Sequence, residues 1–316
     1  MDTLVIGVSD TASLTAVEWV INRVRTRPAD ITLLSAFDGN VADRNDIDRD
    51  LQQIRDRILG ASPSSVVRLG STDASAADAI AEATRDAELL VIGSRHRDHL
   101  ASLTGVAALR LAARSRCATV IVPEPWKPGR RGLILVGVDI DSSDRAVDFA
   151  IREAQETGAM VELVRAWTAP LPAYDPLIWI EDTAADLRVA NQQQLGALVD
   201  RLDAAHPGLS ITGLVHEGLA SDVLADRAVH AELVVLGTHR HGLVTGFLLG
   251  STARELLRAS KTPVCIVPTA RDERSRRPAA TGQADAGAEG TGGEDTGNSA
   301  RTRSQASTPP RSSAAM

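Results

Sequence analysis

Leu4–Asp10 reads LVIGVSD, and 130 positions later Ile134–Asp141 reads ILVGVDID. Each is a short, Val-rich apolar run that ends in small and acidic residues, the pattern of a buried parallel strand running into a βα turn. Gly7 and Gly137 fall at the same place in the two runs. After each run comes an apolar stripe at helical spacing: Val17, Val20, Ile21 and Val24 in the first half, and Val147, Ala150, Ile151 and Ala154 in the second. Further on, Ala87–Ser94 (AELLVIGS) matches Ala231–Thr238 (AELVVLGT), and Ala118–Glu124 (ATVIVPE) matches Pro263–Thr269 (PVCIVPT). The interval between copies has grown from 130 to 144 or 145 by then. The second copy therefore holds an insertion, expected in the loop around the Pro-rich stretch after Trp167.

Between these anchors each half shows a second strand (31–36 and 161–166) and a helix with an apolar stripe. The stripes are Ile47, Leu51, Ile54 and Ile58, and Leu195, Leu198, Val199 and Leu202. A third strand and helix follow at 65–69 and 76–83, and at 211–215 and 221–230. Strands that alternate with helices require crossover connections and a parallel sheet. The expectation is an α/β protein of two domains, 1–127 and 131–270, each a five-stranded parallel sheet flanked by helices. Pro123–Gly132 (PEPWKPGRRG) reads as the linker. From 271 to 316 the composition turns to Ala, Gly, Ser, Thr, Arg and Pro; this tail is expected to be disordered, a solubilising extension.

Composition narrows the function classes. The chain has a net charge of -7, and its tail carries seven Arg against six acidic residues, which leaves -8 on residues 1–270. That balance argues against a nucleic-acid partner, which needs a phosphate-neutralising surface. No apolar run reaches membrane-spanning length, and MDTLVIGVSD lacks the basic start of a secretory signal, so a soluble cytoplasmic protein with no membrane partner is expected. The two cysteines exclude a disulfide framework. Cys265 is expected buried and inert inside a strand, and Cys117, just ahead of one, partly exposed. His96, His99, His239 and His241 sit in corresponding loops with no cysteine or carboxylate at ligand spacing, and they read as solvated loop residues rather than a metal site. The apolar loop Leu171–Asp182, with Tyr174, Ile178, Trp179 and Ile180, is expected to pack on its own domain, the alternative being a lid or partner surface.

The stretch Gly237–Leu257, GTHRHGLVTGFLLGSTARELL, follows a strand and leads into a helix. Ligands of open α/β sheets collect at the carboxyl ends of strands, where small residues admit a phosphate and helix N-termini present N–H groups to it. Gly250, Ser251 and Thr252 stand at the helix entrance. On residue types alone this is equally a phosphate loop or an ordinary Ser/Thr N-cap. It contains no Walker A lysine.

At these residues the chain resembles the universal stress protein family, whose nucleotide-binding members carry Gly-x-x-Gly, nine residues, then Gly-Ser or Gly-Thr. Gly237-Thr238-His239-Arg240 and, after nine residues, Gly250-Ser251-Thr252 fall on that pattern, with Arg240 in place of the second glycine. Arg240 would either crowd the phosphates or donate to them. The resemblance covers nearly all of residues 1–270 and implies two Rossmann-like domains of the adenine nucleotide alpha hydrolase-like kind. Through Val136-Gly137-Val138-Asp139 it makes Asp139 the acidic residue near ribose and phosphates, and it brings the backbone at Ala166 to the adenine. It implies ATP as the ligand, with Mg2+ as its companion, and a regulatory switch in stress response acting on a protein partner, with no catalytic residues of its own. A slow Mg2+-dependent ATPase and a scaffold without nucleotide are the alternatives. It further implies that the halves pair through their last strands, Thr119–Val122 against Val264–Val267, and is compatible with a homodimer beyond that.

The first copy departs from the pattern. Gly93–Leu109, GSRHRDHLASLTGVAAL, is one residue shorter between Gly93 and Gly105, Val106 replaces the hydroxyl residue, and Ser9 stands where the second copy has Asp139. Its nucleotide loop is expected to be degenerate.

Overall fold

In the computed structural model, residues 1–9, 13–36, 41–95, 103–129, 132–139, 144–169, 180–238 and 250–268 are described, and all of them belong to one unit, Met1–Arg277. The two quoted runs are strands β1 (Asp2–Gly7) and β6 (Leu133–Gly137), with Leu4, Val5, Ile6 and Ile134, Leu135, Val136 buried. The first half continues α1 (Ser13–Val24), β2 (Ala29–Ala36), α2 (Val41–Ala61), β3 (Val66–Thr72), α3 (Ala76–Ala83), β4 (Leu89–Arg95), α4 (Leu103–Arg114) and β5 (Ala118–Glu124). The second repeats it after β6: α5 (Asp144–Thr157), β7 (Met160–Trp167), α6 (Ile180–Ala205), β8 (Ile211–Glu217), α7 (Ala220–Ala228), β9 (Leu233–Gly237), α8 (Ser251–Ala259) and β10 (Val264–Val267).

The strands form one ten-stranded sheet in the order β3-β2-β1-β4-β5-β10-β9-β6-β7-β8. Pairing is parallel within each half and antiparallel only where β5 meets β10. There Ile121, Val120 and Thr119 face Val264, Cys265 and Ile266. Val120 and Cys265 stand at equivalent positions of the ATVIVPE and PVCIVPT copies, so the approximate two-fold relating the halves passes between them. Each half would otherwise leave an edge strand with unpaired backbone groups; joining the two edges closes both.

Both faces of the sheet are covered. Core residues of α1, α2, α5 and α6 pack together on one face, and those of α3, α4, α7 and α8 on the other. The expected stripes supply them. Val17, Val20, Val24, Leu51 and Ile58 are fully buried or nearly so, as are Ala150 and Ala154. Each fully buried Val, Leu or Ile contributes about 1.5–3 kcal/mol of transfer free energy. The inserted residues of the second copy lie between β7 and β8, where α6 has 26 residues against 21 for α2. Most of the aromatic loop at 171–182 falls outside the described residues, as does the tail 271–316. Cys117 corrects an expectation: it is buried, 9% exposed, because the turn after α4 folds Ser115 over it, the two Sγ and Oγ atoms lying 3.5 Å apart.

No helix among the described residues is long and apolar enough to cross a membrane.

Candidate functional site

In the second half the strand order reverses between β6 and β9: the chain builds outward through β7 and β8 on one side and through β10 on the other. At such a switch point the two crossover helices leave on opposite faces, opening a crevice beyond the carboxyl ends of the central strands. Gly137 ends β6 beside Leu236, and Gly237 ends β9 one residue later. Asp139 follows β6 and Thr238 follows β9, so both border the crevice. The backbone here is pinned: Val138 N–H donates to the Val164 carbonyl at 3.0 Å, and Thr238 N–H to that of Val267 at 3.0 Å. Ala166 lies near the end of β7, half-buried. His239 and Arg240 lie outside the described residues.

Gly137 has a structural reason of its own. A Cβ there would stand 2.7 Å from Leu236 Cδ2 and 3.1 Å from Leu224 Cδ1. Gly7 is crowded less, by a single close atom, with Ile92 Cγ2 at 3.0 Å. In both copies a side chain of the adjacent parallel strand, Leu236 on β9 or Ile92 on β4, therefore crowds the space a Cβ would take.

Gly250 is different. It is the N-cap of α8, with φ -54 and ψ 159, so its backbone does not demand glycine. Among the described residues, nothing lies within 4 Å of where its Cβ would be. Ser251 and Thr252 are the first two helical residues and do not cap the helix; no side-chain cap bond is made. The ordinary Ser/Thr N-cap, one of the two readings of this stretch, is thus not what forms. An exposed helix start with a small residue and two hydroxyls suits an anion, because the first-turn N–H groups and the helix dipole both favour negative charge.

The first half builds this corner otherwise. α4 begins at Leu103, so Gly105 and Val106 are its third and fourth residues rather than its entrance. The helix starts earlier, and the degenerate motif is wound into its first turn.

Two residues of the second site were not anticipated. Arg165 lies on the same face of β7 as Val161 and Leu163, and it is 8% exposed. Its Nη1 donates to Asp139 Oδ1 at 3.0 Å, and its Nε donates to Asn191 Oδ1 on α6. Asn191 is buried in turn, and its Nδ2 donates to the Leu187 carbonyl at 2.8 Å. The sequence carried a signal for it: an arginine at the third place of an alternating buried row. A buried guanidinium persists only where carboxylate and amide acceptors meet it.

No group of three or more His, Cys, Asp or Glu side chains suited to a metal ion occurs among the described residues. A cleft of about 720 Å³ does open at the seam between the halves, against Trp19, Arg23, Trp126 and Glu153. It adjoins the amino ends of β6 and β9 and includes none of the crevice residues.

The universal stress protein family model matches the chain twice, over residues 1–123 and 131–268. Universal stress protein Rv2623 of Mycobacterium tuberculosis (strain ATCC 25618 / H37Rv) is 26% identical over 294 residues, covering 83% of this chain and 95% of the relative. Universal stress protein Rv2005c of the same strain is 28% identical over 197 residues, covering 58% of this chain and 63% of the relative, less than two thirds of that protein's length. Among solved structures, a universal stress protein from Archaeoglobus fulgidus DSM 4304 matches with a TM-score of 0.59 at 17% identity, covering 85% of this chain and 96% of that one, a likeness of fold. Two matched domains, joined edge to edge in one sheet, make the chain a tandem member, and it belongs to the universal stress protein family.

Proposed function

We propose that the second half binds an adenine nucleotide, ATP, in the crevice beyond β6, β7 and β9, and that the protein is a regulatory nucleotide-binding switch in stress response. The observation that carries this reading is the entrance of α8. Gly250 stands there without a conformational reason or one of packing among the described residues, and Ser251 and Thr252 follow without capping the helix. A bound phosphate supplies the reason the chain itself does not. Gly237, Thr238 and, on the motif, His239 and Arg240 line the phosphate side, while Asp139 faces the ribose and the Ala166 backbone the adenine. The first half, with its motif inside α4 and Ser9 in place of Asp139, serves as the structural partner. The second site holds its nucleotide rather than turning it over, since Asp139, its acidic side chain, is engaged by Arg165, an arrangement that does not favour activating water.

Calorimetric titration of ATP into the full chain, with cyclic AMP as competitor, tests the reading against Gly250→Val. One nucleotide per wild-type chain and none in a folded variant is the expected result. No heat with the wild type would overturn it in favour of a scaffold. Stronger competition by cyclic AMP than by ATP itself would replace ATP as the ligand.

A further inference from the structure

We infer that nucleotide binding in the second half does not depend on Mg2+, because the Arg165 guanidinium already bonds Oδ1 of Asp139, the described carboxylate on which a metal would rest. This rests on the nucleotide reading above and deepens it. Mg2+ demands octahedral oxygen coordination and is commonly held by one or two carboxylates together with the phosphates. Among the described residues, Asp139 is the carboxylate that borders the crevice after β6, and its Oδ1 accepts from the Arg165 guanidinium at 3.0 Å. Arginine keeps its charge at every accessible pH. A dication at Asp139 would therefore meet a fixed positive charge beside it, and a ligand it must share.

The pair is built rather than incidental. Arg165 is buried on its strand and forked between two acceptors, Asp139 and Asn191. Asn191 is fixed by its own bond to the α6 backbone. Both members of the pair differ together between the copies: at the positions 130 residues earlier the first half has Ser9 for Asp139 and Ser35 for Arg165. Ser35 is buried as Arg165 is. A charge on β7 thus accompanies the charge after β6, and both are absent where the nucleotide loop is degenerate. Arg165 is a positioning residue: it orients Asp139 toward the ribose and lowers its value as a metal ligand. The nucleotide's charge is then met by the N–H groups and hydroxyls at the start of α8.

The test is titration of ATP into the full chain in Mg2+ buffer and in EDTA. For the wild type the two dissociation constants are expected to agree within about twofold. Arg165→Ser, which copies the first half, is expected to weaken binding about tenfold in EDTA and to regain part of it on addition of Mg2+. Arg165→Lys keeps a charge beside Asp139 and is expected to stay indifferent to Mg2+. Wild-type binding tightened tenfold or more by Mg2+ would overturn the inference, whether or not the serine variant folds. Absence of ATP binding in both buffers would overturn the nucleotide reading itself, and this inference with it.

Discussion

Arg23 and Glu153 occupy equivalent positions of the two halves, 130 residues apart, and they bond to each other. Both guanidinium Nη atoms reach the Glu153 carboxylate, and Arg23 also meets Asp2 at 3.2 Å. Arg27 joins from the turn that follows α1, reaching Asp2 at 2.6 Å and Glu153 at 3.2 Å. Residues on an approximate two-fold face their own counterparts, so two identical halves would set Arg against Arg and Glu against Glu. The tandem has opposite charges there instead. Burial works against the Arg23 charge, and the Glu153 and Asp2 carboxylates outweigh it, holding the guanidinium above its ordinary value.

Breaking that pair should be costly. Glu153→Gln leaves Arg23 buried with Asp2, itself partly exposed, as its remaining carboxylate, and is expected to lower the unfolding free energy by about 3 kcal/mol, the low end for breaking a buried pair. Replacing both residues by Met should cost less than the sum of the single replacements, because no charge is stranded. Denaturant unfolding of the four proteins of the cycle checks this; strictly additive losses would mean that the two side chains do not act as a pair.

Gly137 and Gly7 differ in how much room surrounds them. Gly137→Ala forces a methyl against Leu236 and Leu224, at 2.7 and 3.1 Å, and is expected to destabilise by about 1–3 kcal/mol. Gly7→Ala meets a single close atom, Ile92 Cγ2 at 3.0 Å, and should cost less. Thermal unfolding of the two variants gives the order directly.

Gly250 should separate binding from stability. Its φ of -54 and the open space around it predict that Gly250→Ala changes stability by no more than about 1 kcal/mol, the scale of a lost N-cap preference. ATP affinity is expected to fall in the same variant. A stability loss far larger than this would mean that the glycine serves the fold instead.

Glu232 stands just ahead of β9 beside the linker, where the Gly132 N–H donates to its Oε2 at 3.3 Å. Burial pushes its carboxyl up, the Gly132 N–H opposes this, and the Glu153 charge adds to it. With the folded value above the unfolded one, ionisation opposes folding. The cost is fully present at neutral pH and lifts as pH falls through the folded value. Glu232→Gln is expected to stabilise the protein at neutral pH by about half a kcal/mol or less, given its partial exposure. That gain should shrink in acid, as melting curves across the acidic range would register.

Cys117 and Cys265 should both be silent toward thiol reagents in the native protein. Both are buried, and burial pushes the Cys265 thiol well above its ordinary value, so little thiolate forms. Labelling of two thiols only after denaturant is the expected outcome; rapid labelling of Cys117 without it would show the turn after α4 to be open.

The repeat, the strand and helix sequence and the buried stripes were legible in the residues, because apolar periodicity reports directly on which face an element buries. LVIGVSD and ILVGVDID, with the matched stripes and strands that follow them, mark a duplicated parallel α/β unit, and the nucleotide candidate at Gly237–Thr252 rests on the family resemblance of its glycine spacing. Packing decided what periodicity cannot carry. Gly137 is glycine because Leu236 and Leu224 press on it, Gly105 sits within α4 because that helix starts early, and Cys117 is buried by its turn. Arg165 lies next to Ala166 in the chain but on the opposite face of β7, and its contacts with Asp139 and Asn191 exist only once β6, β7 and α6 are assembled. The Arg23–Glu153 pair likewise joins residues whose equivalence the repeat reveals but whose contact only the antiparallel meeting of β5 and β10 creates. Sequence specifies local period and composition, whereas a contact between distant residues is set by how the elements dock.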